Sequence, residues 1–441
     1  MDNRGYVSLF KSMNFRLFLL GAALPLAPAM ADPGDLAPAQ PVIPARVFRL
    51  ADFHAVPDGR TSDTEAFRRA LAAVAAAGGG TLVVERGQYL LGPITLVSRC
   101  DLHLEAGARL LFSQNFDDYP KESGKRAPLI GASGCHDLMI SGEGVIDGRG
   151  DPWWVIERKA KREARARGLH DAEIGRPRMV VFTRCQRVRL EGVTLANSPM
   201  YHFVPTQCED VTVEGVRILS PADSPNTDGI DPSVSRRVLI AHCRIDTGDD
   251  CIAVKAGPKG GPVEDVLVTD CAFLHGHGCS IGSETNSGVR RMTVRRCTFD
   301  GTDIGVRLKS ARDRGGLVED VTYRDLTMRH VGEAIVISSY YYDLPKFGQR
   351  DQARPVTAST PQWRRLTIRN VVATEGTDSA GLIIGLPEAP ATSITLENVR
   401  IEAPRGLRIG YARDVTLRDV AIAARGGPAI LTDETVQELV R

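Results

Sequence analysis

The chain has 441 residues, 43% hydrophobic and 25% charged, with 55 Lys and Arg against 54 Asp and Glu. That composition excludes a largely disordered chain and a multi-span membrane protein. A net charge of +1 excludes a global field for nucleic acid or an anionic membrane, so no such partner is expected and any affinity for a polyanion must be local.

At the N-terminus, Arg4, Lys11 and Arg16 precede an apolar run from Leu17 to Leu26, and Ala29-Met30-Ala31 follows. A basic segment, a short apolar segment and a small-x-small site predict a signal peptide over residues 1–31. Residues 32–46, rich in Pro and Ala, read as a linker. The mature protein is then expected to be soluble, monomeric, and secreted or periplasmic. Ser62 or Asp63 can cap a helix that runs to Ala77 and stops at Gly78-Gly79-Gly80. Phe67, Leu71 and Val74 share one face of it, suited to covering the raw end of a solenoid.

Residues 47–441 read as one solenoid. Leu102-His103-Leu104 and Leu138-Met139-Ile140 open a pattern of alternating apolar residues. It recurs from Val188, Val211, Val238, Val266, Met292, Val321, Leu366, Ile394 and Val415, at intervals of 21 to 45 residues. Period two means strands with one buried face, and a recurrence of this length without intervening helices means stacked coils. The predicted fold is all-β, a single-stranded right-handed parallel β-helix with an N-terminal capping helix.

Between the early coils lies an insertion. Trp153-Trp154 begin a segment carrying Arg158, Lys159, Lys161, Arg162, Arg165 and Arg167. It reads as a solvated helix, or else as a basic wall with a tryptophan ready to stack on a sugar. A second insertion, Asp343 to Gln362, is a long loop able to shape one end of a groove.

Cys243, Cys271 and Cys297 fall at the same position of three successive repeats, where others carry Val193, Val216, Leu326, Val371, Val399 and Val420. Cys251 and Cys279 share a second slot, each 13 residues after its repeat start. Stacked free thiols in an interior ladder are expected ahead of disulfides. No CxxC or paired-His spacing suggests a metal, and no cofactor is expected.

Three segments align on successive coils: Asn226-Thr227-Asp228-Gly229-Ile230, Gly248-Asp249-Asp250-Cys251-Ile252 and Gly276-His277-Gly278-Cys279-Ser280. Asp228 then stacks beside Asp250, while Thr227, Asp249 and His277 form the next column. One coil on, Arg307 and Lys309 alternate outward around Leu308. Like charges this close have no use in a fold, whereas acid–base hydrolysis needs clustered carboxylates with divergent pKa values.

These four segments resemble the signatures of glycoside hydrolase family 28, the polygalacturonase family, whose fold is the right-handed parallel β-helix. The resemblance runs from about residue 48 onward and includes Asp58-Gly59-Arg60-Thr61-Ser62-Asp63. It implies that residues 47–441 form a catalytic domain that hydrolyses α-1,4-galacturonosyl bonds with inversion. The partner would be a pectic polysaccharide or oligogalacturonate. Asp249 would be the general acid, held protonated by its negative neighbours. Asp228 and Asp250 would activate water, and His277 would support the acid. Asn226, Arg307, Lys309 and, among Tyr340-Tyr341-Tyr342, Tyr341 would bind substrate. A rhamnogalacturonan hydrolase, an exo-acting oligogalacturonate hydrolase, a calcium-dependent pectate lyase and a non-catalytic polysaccharide-binding β-helix are the alternatives.

Overall fold

The structure, a computed structural model, describes residues 36–122, 124–169, 174–346 and 348–441. The expected signal peptide lies outside the described residues. Among the described residues no helix is long and apolar enough to cross a membrane. Residues 36–46 form no regular element but bond to the coils. The Ala39 N–H donates to Asp210 and the Val42 N–H to Asp137, at 3.0 and 2.9 Å.

Strands of successive coils pair in parallel throughout, apart from one small antiparallel hairpin, Lys121–Glu122 with Lys125–Arg126. The periodicity is reproduced residue for residue. Val188 pairs with Val211, then Val238, Val266, Met292, Val321, Leu366, Ile394 and Val415 in unbroken register. Every one of these side chains is buried, in a main hydrophobic core of stacked aliphatic residues with aromatic ones among them. Helix α1, Thr64–Ala76, packs Phe67, Leu71 and Val74 against the first coils, as its apolar stripe predicts. The Asp63 carboxylate accepts from the Val56 N–H at 2.7 Å instead of capping the helix.

A second wall carries the site. It runs from Ile94–Thr95 through Ile130–Ser133, Val180–Thr183 and Phe203–Thr206. Bridges at Ile230 and Ser233 join it to Ile252–Val254, Cys279–Ile281, Ile304–Lys309 and Glu333–Ser338.

All nine cysteines are free thiols. The slot predicted for Cys243, Cys271 and Cys297 is real, because Arg244, Ala272 and Thr298 pair in turn. A second thiol column, Cys135, Cys185 and Cys208, lies behind the paired His136, Gln186 and Glu209. The slot proposed for Cys251 and Cys279 is one residue out, since Cys279 pairs with Ile252. The Cys251 and Ile252 N–H groups both reach the Gly278 carbonyl, a bulge that shifts the count by one.

Immediately before each repeat start the backbone turns left-handed. Asp137, Arg187, Asp210, Arg237, Asp265, Arg291, Asp320 and Arg365 have φ between 50 and 58°. They alternate in sign up the stack and pair two by two: Arg187 with Asp137, Arg237 with Asp210, Arg291 with Asp265 and Arg365 with Asp320, at 2.6–2.8 Å.

Candidate active site

Ile230 pairs with Ile252, so Asp228 stands opposite Asp250, as the alignment predicts. The bulge moves His277 back by one, and it sits between the two acids of the second segment. Its Nδ1 is 3.2 Å from Asp249 Oδ1 and 3.7 Å from Asp250 Oδ1. Glycines on both sides permit this. A Cβ on Gly276 would stand 2.2 Å from the Asp249 carbonyl, and one on Gly278 would stand 2.1 Å from that of Ile304. Thr227 is a supporting residue: its buried hydroxyl accepts from the Gly248 N–H at 3.0 Å and so fixes the turn before Asp249.

Asp250 is 1% exposed and fully engaged. Oδ1 accepts from Ser280 Oγ at 2.7 Å and Arg307 at 2.9 Å, and Oδ2 accepts from Lys309 Nζ at 2.7 Å. Burial pushes its carboxyl up, but the charges of Lys309 and Arg307 outweigh burial and hold it below the ordinary range. Arg307 and Lys309 are therefore not free cations awaiting an anion; each already neutralises Asp250.

Asp228 is the opposite case. Oδ2 faces Lys255 Nζ at 3.1 Å, while Oδ1 is buried and accepts no hydrogen bond. Lys255 also pairs with buried Asp231 at 2.9 Å and lies over the Tyr201 ring, 4.1 Å from its centre. Burial raises Asp228 well above the usual carboxylate range, opposed by Lys255 and reinforced by Asp231, Asp249 and Asp250. Burial likewise brings Asp231 to about 6.

The expectation that Asp249 is held protonated by its negative neighbours is overturned for the free protein. Burial does push Asp249 up, but the contact with His277 and the charges of His277 and Lys309 prevail and lower it. Burial lowers His277 in turn, yet Asp249 and Asp303 outweigh burial and raise it to about 9. Asp303 Oδ2 is 3.3 Å from His277 Nε2. The pair thus stores its proton on the imidazole. The two acids expected to raise Asp249 are both compensated, Asp250 by Arg307 and Lys309 and Asp228 by Lys255.

Asn226 Oδ1 accepts from Lys161 at 2.5 Å and Arg176 at 2.7 Å, so only its amide donors remain for a ligand. Tyr341 is the tyrosine that faces the acids. It is raised by burial, with Arg307, Asp249 and Asp250 acting on it, and Lys309 Nζ is 5.6 Å from its ring centre. Tyr340 instead donates to Asp351, and Tyr342 lies beside Arg314.

The basic insertion forms helix α2, Asp151–Ala166. Its tryptophans are buried and unavailable to a sugar. Trp153 stacks on Phe116 with ring centres 3.8 Å apart, and Trp154 donates to the Ser198 carbonyl at 3.0 Å. Arg162, Arg165 and Arg167 are exposed, while Arg158 pairs with Asp223.

Sequence reasoning missed Lys255, Asp231 and Asp303, and gave no role to Ser280 at the end of its third segment. The first three lie within five residues of a segment that was read. Stacking the flanking positions in register, Ser233 opposite Lys255 for example, would have brought Lys255 onto the outer wall beside Asp231.

Asp249, Asp250 and His277 offer donor atoms within 4.8 Å of one another, the spacing of a metal site. The donor set does not suit one. Both Asp250 oxygens are already compensated by fixed cations, and an added cation would meet Arg307 and Lys309 at once.

A parallel β-helix with a buried, charge-compensated group of carboxylates on its outer wall defines an acid–base enzyme of the glycoside hydrolase class. The model of "Glycosyl hydrolases family 28" matches residues 77–424. A "Probable polygalacturonase" of Arabidopsis thaliana is 31% identical over 359 residues, 80% of this chain and 73% of that protein. A polygalacturonase of Ralstonia solanacearum is 33% identical over 57% of this chain and 56% of its own. Among solved structures, a hyperthermoactive exopolygalacturonase from Thermotoga maritima superposes with a TM-score of 0.73 at 28% identity. That match covers 89% of this chain and 95% of the other. The chain belongs to glycosyl hydrolase family 28 and is a right-handed β-helical glycoside hydrolase.

Proposed function

We propose that the protein hydrolyses α-1,4-galacturonosyl bonds of polygalacturonate with inversion of the anomeric centre. The observation that carries this reading is the contrast between its two stacked carboxylates. Asp250 has every oxygen engaged by Ser280, Arg307 and Lys309, while Asp228 keeps Oδ1 free in a buried position. Asp228 is then the base that takes a proton from water at Oδ1. Asp250 holds the two cations in place beside it.

The acid is Asp249, supplied by His277. In the free protein the pair is an ion pair. A bound sugar removes water from it, and desolvation favours the neutral form, carboxylic acid plus neutral imidazole, over two buried charges. The proton therefore moves to Asp249 when substrate covers the site, ready for the leaving oxygen. Arg307 and Lys309 have spare donors for the uronate carboxylate, an arrangement suited to an acidic sugar. The Asn226 amide and Tyr341 complete the contacts. The leader at residues 1–31 adds export from the cytoplasm to this reading.

The test is digestion of polygalacturonate followed at once by NMR of the new reducing ends. Reducing sugar with initial β configuration is expected. Initial α product would overturn inversion, and an unsaturated product absorbing in the ultraviolet would overturn hydrolysis in favour of elimination.

A further inference from the structure

One carboxylate outside the four aligned segments reaches the imidazole of the site. Asp303 lies on the coil after His277, in the short link between the strands Val289–Asp300 and Ile304–Lys309. Cys279 pairs with Val306, so three residues back Asp303 stands opposite Gly276, beside His277. The backbone fixes this arrangement coil by coil. The His277 N–H donates to the Asp249 carbonyl at 3.0 Å, the Asp303 N–H to the Gly276 carbonyl at 2.8 Å, and the Glu333 N–H to the Asp303 carbonyl at 2.9 Å.

His277 therefore stands between carboxylates from the coil before and the coil after. Asp249 Oδ1 is 3.2 Å from Nδ1, and Asp303 Oδ2 is 3.3 Å from Nε2. Two coil spacings are roughly 9.5 Å, a gap that an imidazole with a partner at each nitrogen fills. The two sides differ in exposure. Nδ1 is closed off from solvent, whereas the Asp303 side chain is 76% exposed. The contact with His277 outweighs burial and holds Asp303 below the ordinary carboxylate range, with Arg307 adding to the effect and Asp249 opposing it. Asp303 is thus an anion, which accepts hydrogen bonds and donates none. The acid step needs the Nδ1 proton to move to Asp249, so the proton that stays on the ring must be on Nε2. A carboxylate facing Nε2 holds that tautomer, because it can only accept.

We infer that Asp303 is a positioning residue for the acid step: it accepts from Nε2–H of His277, fixes the ring's orientation and tautomer, and so turns Nδ1 toward Asp249. The inference rests on the proposed activity and deepens it. Asp303 acts through His277 and not on the sugar. The groups that face the imidazole are Asp249, Asp250 and Asp303, with Arg307 and Lys309 bound to Asp250 behind them. Without Asp303 one of these anions is gone, and His277 gives up its proton at lower pH.

The test compares the whole enzyme with Asp303→Asn and Asp303→Glu. Reducing-sugar assays on polygalacturonate give kcat and KM across pH. Nitrogen NMR of the histidine rings, assigned with His277→Asn, gives the tautomer. In the wild type, neutral His277 should carry its proton on Nε2. In Asp303→Asn, whose amide can donate to Nε2, the proton should shift to Nδ1. The alkaline limb of kcat/KM should move down by about half a pH unit or more, and kcat should fall about threefold or more with KM little changed. Asp303→Glu should recover part of both. Thermal melting checks that the variants are folded. An unchanged tautomer in folded Asp303→Asn would overturn the positioning role even if activity fell, and an alkaline limb that stays in place would overturn it as well. No reducing sugar from the wild type would overturn the proposed activity, and the NMR measurement would still decide whether Asp303 sets the tautomer of His277.

Discussion

His277 Nδ1 stands 3.2 Å from Oδ1 of Asp249. The imidazole is raised to about 9 and the carboxyl is lowered, so at neutral pH this contact is a charged pair that holds the acid's proton one transfer away. Removing Asp249 deletes the group that would deliver it. Asp249→Asn is expected to lower kcat roughly a hundredfold to ten-thousandfold in a protein that still folds, with only the stability contributed by its contact with His277 lost. Steady-state reducing-sugar assays decide this; retention of more than a few per cent of activity would reassign the acid.

The pH profile follows from the same groups. Asp228 must be ionised to act as base, and its pKa is raised above the carboxylate range. Activity should fall as pH drops through that raised value. The proton of the Asp249–His277 pair is lost as pH rises toward about 9, and activity should fall there too. A bell in kcat/KM is expected, its alkaline limb well above the ordinary histidine range. His277→Asn should bring that limb down. Stability carries a matching signature. The raised His277 pKa contributes stability fully below pH 6.5, and that contribution is lost as pH climbs through about 9. Urea unfolding at several pH values would show it, and a slope identical in His277→Asn would contradict it.

Lys255 neutralises two buried carboxylates at once, Asp228 at 3.1 Å and Asp231 at 2.9 Å. Lys255→Met leaves both uncompensated. About 3–5 kcal/mol of stability should be lost near neutral pH. The loss should shrink in acid, where the two carboxyls protonate. In activity, the acid limb should move to higher pH, because Asp228 holds its proton more tightly without the cation. Lys255→Arg should restore the limb in part. An acid limb that stays in place in Lys255→Met would show that Lys255 does not set the state of Asp228.

Burial pushes the thiols of Cys100 and Cys251 up to about 12 and raises Cys271 and Cys279 as well. A thiol reagent should therefore label the native protein slowly and the unfolded protein fully. Cys271→Val should cost under about 1.5 kcal/mol, because Val216 and Leu326 already fill the same slot on other coils. Rapid native labelling at the stacked positions would contradict the interior ladder.

Fixed cations, not a metal, balance the acids in this site. EDTA is expected to leave kcat and KM unchanged, and added calcium to do the same. Restoration of lost activity by calcium after chelation would overturn this.

The fold was legible because period-two alternation and its recurrence are both written in the chain, and register followed from Val188 to Val415 without a slip. The stacking of the candidate residues was legible to the same depth, with Asp228 opposite Asp250 as the alignment placed them. It failed at the bulge near Gly278, because an inserted residue changes register without changing hydrophobic pattern. The protonation of Asp249 was misjudged for a different reason. Charge counting saw the acids Asp228 and Asp250 as its neighbours, but the contact with His277 and the charges of His277 and Lys309 prevail at Asp249. The tryptophans were open to two readings because composition does not say which side of a helix meets the coils; Phe116 and Ser198 claim both.

The alternating column from Asp137 to Arg365 bears on how the coils find their order. Hydrophobic faces of a solenoid are nearly interchangeable, so by apolar pattern alone any coil could sit on any other. Skip one coil here and Asp137 would face Asp210, or Arg187 would face Arg237, like against like across a single strand spacing. The sign of each step therefore acts as a parity check on the growing stack. A near-neutral chain with many charges is what such a check requires.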